Sequence, residues 1–407
     1  MRRDQWNSYN WHEQYQTIRI YRGWIMEKLR IGDACNILNG YAFKSDSYVN
    51  EGIRVIRIAN VQKGYIEDNS PVYYSIDSGG LDKYMLEEGD LLMSLTGNVG
   101  RVALLQKEML PAALNQRVAC LRIKTDRITK EFLFHILNND FFEQQCIQAS
   151  NGVAQKNIST EWLKDYEIPL YTIEEQLKIS AVLDKIRHII MLRNNELRAL
   201  DELIRARFIE MFGNPVSNSY GLPEATLPDL GKFGRGVSKH RPRNDIKLLG
   251  GKYPLIQTGD VANAGLYITS YCNTYSELGL KQSKMWDKGT LCITIAANIA
   301  KTAILEFDAC FPDSVVGFTA NERTNNVFIH YWFSFFQAIL ESQAPESAQK
   351  NINLKILSEL KVIVPEKRKQ DEFAAFVAQV DKSKVAVQKA LDQTQLLFDS
   401  LMQEYFG

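Results

Sequence analysis

GDLLMSLTGNVGRVALL, residues 89–105, lies without gaps over GTLCITIAANIAKTAIL, residues 289–305. Gly89/Gly289, Leu91/Leu291, Asn98/Asn298, Ala103/Ala303 and Leu105/Leu305 are identical, and Ser94/Thr294, Val99/Ile299 and Arg101/Lys301 are close in kind. Further along, QKNI at 155–158 recurs as QKNI at 349–352, and EMFG at 210–213 recurs as EYFG at 404–407. The offset drops from 200 to 194 across these matches, as unequal loops in a duplicated gene would leave. One four-residue match would be chance; three in the same order mark an internal repeat. The chain therefore reads as two copies of one plan, roughly 26–213 and 220–407, with Gly407 the image of Gly213. Residues 1–25 have no counterpart in the second copy and are expected to be an N-terminal extension, either a flexible arm or a mis-assigned start upstream of Met26.

Each copy begins with short alternating segments such as IRVIRI (53–58) and RVACLRI (117–123), separated by Gly, Asn and Asp turns. Period-two alternation rich in Val and Ile predicts half-buried strands. One short helical stretch follows, TKEFLFHILNNDFFEQ (129–144), with Thr129 as N-cap and VFIHYWFSFFQAILES (327–342) as its counterpart. An extended segment, IPLY (168–171) or VIVPE (362–366), then leads into a long helix. The expected fold class is α+β. Two strand-rich heads, 26–170 and 217–365, are separated by helical regions at 171–216 and 366–407.

From Gln176 to Phe212 there is no Gly or Pro, and apolar residues recur at alternating spacings of four and three. Ile179, Leu183, Ile186, Ile190, Leu197, Leu200, Ile204 and Met211 fill this seam, interrupted by Arg193 and Arg207. A shift of 194 gives Phe373, Val377, Val380, Val387, Leu391, Phe398, Leu401 and Tyr405, interrupted by Lys384 and Thr394. Two seams of equal length and phase predict a coiled coil, with a rod on the order of 50 Å. The plainer alternative is that each helix covers its own head. Antiparallel pairing would relate the heads by an approximate twofold axis, which suits two major-groove half-sites about one helical turn apart.

Composition narrows the class. Apolar residues make up 45% and charged residues 24%, as in soluble globular proteins. The N-terminus MRRDQWNSYNWHEQ lacks the apolar run of a signal peptide, and no stretch approaches a membrane span. Cys35, Cys120, Cys146, Cys272, Cys292 and Cys310 never form a CxxC pair, which argues against a disulfide framework or a structural zinc and suits the cytoplasm. Lys and Arg number 48 and so do Asp and Glu, a balance unusual for a nucleic-acid binder.

NGYAFKS (39–45), GNVGRVALL (97–105), QKNIS (155–159) and EMFGNP (210–215), with FPDSVVGFT (311–319) and QKNIN (349–353) in the second half, resemble the recurring segments of the specificity subunits of type I restriction-modification systems. The resemblance covers nearly the whole chain from Met26 and includes the repeat. It implies two target recognition domains, each reading one half of an asymmetric gapped DNA site. The helices would set the spacing and dock two methyltransferase subunits. Those partners and the restriction/translocase subunits would use S-adenosylmethionine, ATP and Mg²⁺, and this chain would bind no cofactor itself.

Among candidate DNA contacts, Asn39, Tyr41 and Lys44 sit in NGYAFK, where an amide and a lysine could reach a base edge and a phosphate, or simply form a turn around Phe43. Asn98 and Arg101, with Asn298 and Lys301 in the second copy, lie in a turn whose backbone N–H groups could approach phosphate, or which only closes a hairpin. Ala297 and Ala300 replace Gly97 and Gly100 there, so a different turn is expected. Gln116 and Arg117 precede the VACLRI strand. Lys156 and Lys350 belong to the twice-used QKNI, and identity between heads that should read different words favours a backbone-binding or structural role. The run GKFGRGVSKHRPRN (231–244) carries Lys232, Arg235, Lys239, Arg241 and Arg243 with no acid, a basic patch or a solvated loop.

Motifs of catalysis are missing. The chain has no [ND]PP[FYW] and no GxxxxGK[ST], so it is not expected to transfer methyl groups or to bind ATP as a P-loop protein. Pro228-Asp229 followed by Asp245-Ile246-Lys247 matches a loose nuclease pattern, but a Gly- and Arg-rich segment separates the carboxylates. His12, His135, His188, His240 and His330 are scattered, and His135 and His330 read as packing residues. The other readings to test are a nuclease acting through Asp229, Asp245 and Lys247, and a coiled-coil adaptor that never touches DNA.

Overall fold

The computed structural model describes residues 27–77, 79–150, 156–240, 242, 245–296, 299–343, 352 and 354–407. The expectation for 1–25 lies outside these residues. Two compact units emerge: one takes the chain to Leu192 together with Leu391–Gly407, the other Arg193–Ala390. Compactness thus divides each long helix, rather than following the linear order of heads and helices.

In the first unit, Cys35–Asn39, Val118–Ile123, Leu91–Ser94 and Val102–Leu104 form an antiparallel sheet in that spatial order. Its side chains alternate, so Leu91, Met93, Ala119 and Leu121 face one buried cluster while Leu92, Ala103, Val118 and Cys120 face another. A second sheet orders Tyr48–Val49, Tyr73–Tyr74, Ile53–Ile56 and Ala112–Leu114. The second unit repeats this plan. Gly231–Arg235, Val315–Ala320, Leu291–Thr294, Thr302–Leu305 and Tyr267–Ile268 make one sheet; Asn273–Tyr275, Leu249–Leu255, Ala309–Cys310 and Met285–Trp286 make the other. In each unit a strand entering the head pairs antiparallel with the strand leaving it, Lys28–Arg30 with Glu167–Pro169 and Glu224–Thr226 with Lys361–Ile363.

One expectation fails in detail. The stretch 129–144 is not a single helix but two, Lys130–Leu137 and Asp140–Ala149. Asn138 and Asn139 break it, because the Asn139 side chain accepts from Phe142 N at 2.7 Å and starts a new helix. Thr129 caps the first as expected, accepting from Phe132 N. The counterpart in the second unit lacks such a pair and runs unbroken from Asn326 to Gln343.

The long helices are Ile173–Phe212 and Lys367–Phe406. Every seam position named from the sequence is buried or half-buried, including Arg193, Arg207, Lys384 and Thr394. Four apolar residues outside the seam are buried as well. Phe208 and Phe212 enter the core of the second unit, and Met402 and Phe406, their images at offset 194, enter that of the first. Phe212 lies 5.1 Å from Phe328, ring to ring, and Phe406 5.6 Å from Phe132. Within the second unit the two helical segments run antiparallel, since Asp201 pairs with Lys384 at 2.6 Å while Phe208 meets Phe373. Within the first, Ile179 and Leu183 share a cluster with Met402 and Phe406, and Tyr171 donates to the Tyr405 carbonyl at 3.0 Å.

A buried glutamine heads each helix. Gln176 has no exposed surface; its amide nitrogen donates to the carbonyls of Arg127 and Tyr171, both at 2.8 Å, and its oxygen accepts from Thr129 N at 2.8 Å. Gln370, equally buried, donates to Arg323 O at 3.0 Å and Pro365 O at 2.8 Å and accepts from the Thr324 hydroxyl at 2.8 Å. Glutamate at either place would set a carboxylate against two carbonyls. Q176E or Q370E is therefore expected to cost at least ~2 kcal/mol, read as a lower denaturant midpoint. An unchanged midpoint would mean that the heads hold their helices by other contacts.

Candidate nucleic-acid interface

The candidate residues of the first head converge because four backbone segments lock together at one end of the main sheet. Tyr41 N donates to Leu114 O at 2.8 Å, and Gln116 N returns a bond to Tyr41 O at 2.9 Å. Gly40 allows this approach, as a Cβ there would stand 2.2 Å from the Asn115 carbonyl. Leu95 N donates to Arg117 O at 3.0 Å, Gly97 N to Lys156 O at 2.9 Å and Ile158 N to Leu95 O at 2.9 Å. Gln116, Arg117, Asn98, Lys156 and Tyr41 are thereby displayed, all exposed, on a shared rigid frame. Leu95, Thr96, Gln116, Arg117, Asn157 and Ile158 line an open depression between them.

Other candidates are placed differently. Asn39 ends a strand opposite Ala119 with its side chain exposed, and Lys44 precedes a single turn at Ser45–Ser47. Tyr41 and Phe43 join an aromatic group with Tyr84 and Tyr74, with centroids 4.9 to 5.3 Å apart. Arg101 is turned into its own head, donating to the Gln62 side chain and standing 3.9 Å from Glu143. The QKNIS segment has a structural role: Ile158 is buried, Asn157 bridges to Thr96, and Ser159 caps the helix Thr160–Asp165.

The second head keeps the frame. Gly236 takes the place of Gly40, a Cβ there lying 2.3 Å from Phe311 O, and Val237 N donates to Phe311 O at 3.1 Å. Ile295 N donates to Ser314 O at 3.0 Å and Ile352 N to Ile295 O at 3.0 Å, matching the bonds of Leu95 and Ile158. The described flanks of the turn expected to differ keep the same hydrogen bonds, while Ala297 and Asn298 lie outside the described residues. Ser94 N binds Arg101 O and Gly100 N binds Ser94 O, and Thr294 N binds Lys301 O and Ala300 N binds Thr294 O, all at 2.9 to 3.0 Å. Ala300 holds the left-handed φ of 58° that Gly100 takes at 84°. At Gly100 a Cβ would press on Cys146 at 2.9 Å, whereas the Ala300 methyl is buried in a core shaped to receive it.

What the equivalent positions display is different. Asn39, Tyr41, Gln116 and Arg117 of the first head correspond to Arg235, Val237, Asp313 and Ser314 of the second. Neither offset of the sequence repeat, 200 or 194, aligns them; 116 meets 313 at 197 and 40 meets 236 at 196. The pairing is visible only once the hydrogen bonds fix the register.

The basic run of the second head, read as a basic patch or a solvated loop, begins as a strand. Gly231–Arg235 is a strand paired with Val315–Ala320, because Lys232 and Arg235 project outward while Gly231 lets the backbones close, a Cβ there lying 2.2 Å from Thr319 O. Lys239 is exposed and Lys301 half-buried. Arg241, Arg243, Asn298 and Lys350 lie outside the described residues. Both carboxylates of the nuclease pattern serve local turns. The hydroxyl and backbone N–H of Thr226 bond to Asp229 and hold its carboxyl below the usual range. Lys247 N, and then His240, do the same for Asp245. Among the described residues no three His, Cys, Asp or Glu side chains cluster to hold a metal, and no helix is long and apolar enough to cross a membrane.

The family profile described as the type I restriction modification DNA specificity domain matches twice, over residues 25–202 and 224–394. The specificity subunit of the type I restriction enzyme EcoBI from Escherichia coli is 24% identical over 96% of this chain and 86% of its own length. The EcoAI specificity subunit from the same organism is 32% identical over 43% of this chain and 30% of its own. The crystal structure of a type I system S subunit from M. genitalium shares the fold at a TM-score of 0.56 and 17% identity, covering 94% of this chain and 96% of that one.

The close approaches at Gly40 and Gly236 give a test of the shared frame. G40A and G236A are each expected to destabilise their own head by roughly 1–3 kcal/mol through overpacking, seen as a lower unfolding midpoint. A300G, which only relaxes a left-handed alanine, should leave the midpoint within about 1 kcal/mol of the parent.

Proposed function

The chain belongs to the DNA-specificity family of type I restriction-modification systems, and we propose that it directs such a complex to an asymmetric, gapped DNA site, each head reading one half. The observation that carries this reading is one backbone frame, built twice, that displays Asn39, Tyr41, Gln116 and Arg117 in one copy and Arg235, Val237, Asp313 and Ser314 in the other. Two equal frames suit two equal grooves, and unequal side chains suit unequal words. Arg117 is suited to guanine, Gln116 to adenine, and Lys44, Lys156, Lys239 and Lys301 to phosphate. Arg241, Arg243, Asn298 and Lys350 stay in this reading as backbone contacts on their chemistry alone.

The two 40-residue helices, about 60 Å each at 1.5 Å per residue, would set the spacing between half-sites. They would also dock two methyltransferase subunits. Leu177, Met191, Leu192, Leu396 and Leu397 in the first unit and Leu203 and Val385 in the second are large apolar side chains exposed at 47–69%, more than isolated helix surfaces need. In this assembly the recognition subunit is no enzyme. The modification subunits bring S-adenosylmethionine, restriction/translocase subunits bring ATP and Mg²⁺ chemistry, and the complex works in the cytoplasm. Partner surfaces also supply positive charge that this electroneutral chain lacks.

Long-read methylation sequencing of the host with and without this chain is the decisive experiment. A gapped, asymmetric adenine-methylated motif is expected to vanish on deletion, and an unaltered methylome would overturn the reading. Independently, replacing Leu197 and Leu391 together by Asp is expected to abolish co-purification of the modification subunits; a normal complex from this double variant would refute the seam's role in assembly.

A further inference from the structure

At the tip of the second head the arginine next to the position of Gln116 is gone, and an arginine, Arg235, stands instead where Asn39 does. Ser314 stands where Arg117 does, so a reading head of the same build needs other side chains there. Beside that tip lies a depression, a space of about 330 Å³ lined by Gln257, Thr258, Asn273, Tyr275, Pro312 and Ser314 among others. Tyr275 is almost fully buried and supplies an apolar floor. The backbone of both residues is held in place. Gln257 opens the helix Thr258–Asn263 in a capping box, its N–H donating to the Asp260 carboxylate at 2.7 Å and its side-chain oxygen turned to the Asp260 N–H, with the amide NH₂ and the second lone pair of that oxygen left for a ligand, and Asn273 pairs with Leu255 in the sheet.

The equivalent site in the first head is closed to this use. Arg57 occupies the place of Gln257, one residue after the buried Ile56 or Ile256, with its own N–H on Asn60 Oδ1 at 2.9 Å. Its guanidinium turns back to donate to Ser70 O at 2.9 Å.

We propose that the second head selects its half-site through the carboxamides of Gln257 and Asn273, which recognise the major-groove edge of an adenine–thymine pair. A carboxamide offers one donor and one acceptor in a plane, and adenine alone offers the complementary N7 acceptor and N6 donor side by side. The proposal rests on the DNA-recognition reading above. It adds which residues discriminate in the second head and which base pair they select, at positions that sequence reading did not single out.

The test uses the whole complex in a host whose own copy of the gene is deleted. Methylomes are compared after complementation with the wild-type chain, Q257A, N273A, Q257E and, as a marker for the other half-site, R117A. Q257A or N273A is expected to lower discrimination at one A·T position at least about tenfold, in the half of the motif that R117A leaves unchanged. Q257E is expected to move the preference at that position towards cytosine, whose N4 donor suits a carboxylate, a gain that misfolding cannot mimic. An unchanged half-site in both alanine variants, or relaxation at a G·C position or in the half altered by R117A, overturns the proposal while the recognition reading stands. If the wild-type chain itself restores no methylated motif, both fall together. A variant without methylation is assayed as purified complex on duplexes substituted at each position of the second half-site; retained discrimination at every A·T pair there overturns the proposal, and its loss at one supports it.

Discussion

A glutamine side chain with no contact to water heads each long helix, and the position of the reading heads depends on it. A buried carboxamide must satisfy two donors and one acceptor or lose more than it contributes. Gln176 and Gln370 do so with backbone carbonyls on two sides, one from the head and one from the short link between the preceding strand and the helix. The bonds fix distance and direction together, which apolar contact alone does not.

The other end of each helix answers a different need. Each unit buries the last turns of one long helix beside the first turns of the other, through Phe208 and Phe212 or Met402 and Phe406. The EMFG and EYFG repeats are therefore core segments, with Phe212 and Phe406 as the anchoring side chains. In the second unit Asp201–Lys384 and Phe208–Phe373 give the two segments an antiparallel sense. Burial of each such anchoring side chain contributes about 2–3 kcal/mol, on a par with the buried seam residues they pack against.

One frame displaying two sets of side chains is the arrangement a divided recognition task needs. Several hydrogen bonds of the tip recur in both heads, and the left-handed φ survives at Ala300, where alanine replaces Gly100. What changes is what the frame carries: Gln116 and Arg117 in one, Asp313 and Ser314 in the other. Selection can exchange a reading residue at such a tip without altering the fold, since the backbone and not the side chain holds it in place.

Much of this was legible in the linear chain. The repeat, the strand and helix classes, Thr129 as a cap and the seam from Ile179 to Tyr405 all rest on spacing and on residue chemistry, which are local. The break at Asn138–Asn139 was legible too, since paired asparagines favour caps, but an apolar period running across them hid it. The reading surface was not legible, because it is assembled from segments far apart whose register no constant offset reproduces. Gln257 and Asn273 stand more than 50 residues from Pro312 or more than 35, and only the parallel and antiparallel pairings around Leu255 bring them to one depression. The sequence by itself determined that the chain is a duplicated head and helix with a shared heptad phase. Tertiary structure alone decided which side chains face outward together and that Arg101 turns inward, because hydrogen-bond register between distant strands is a property of the folded backbone and leaves no periodic trace in the chain.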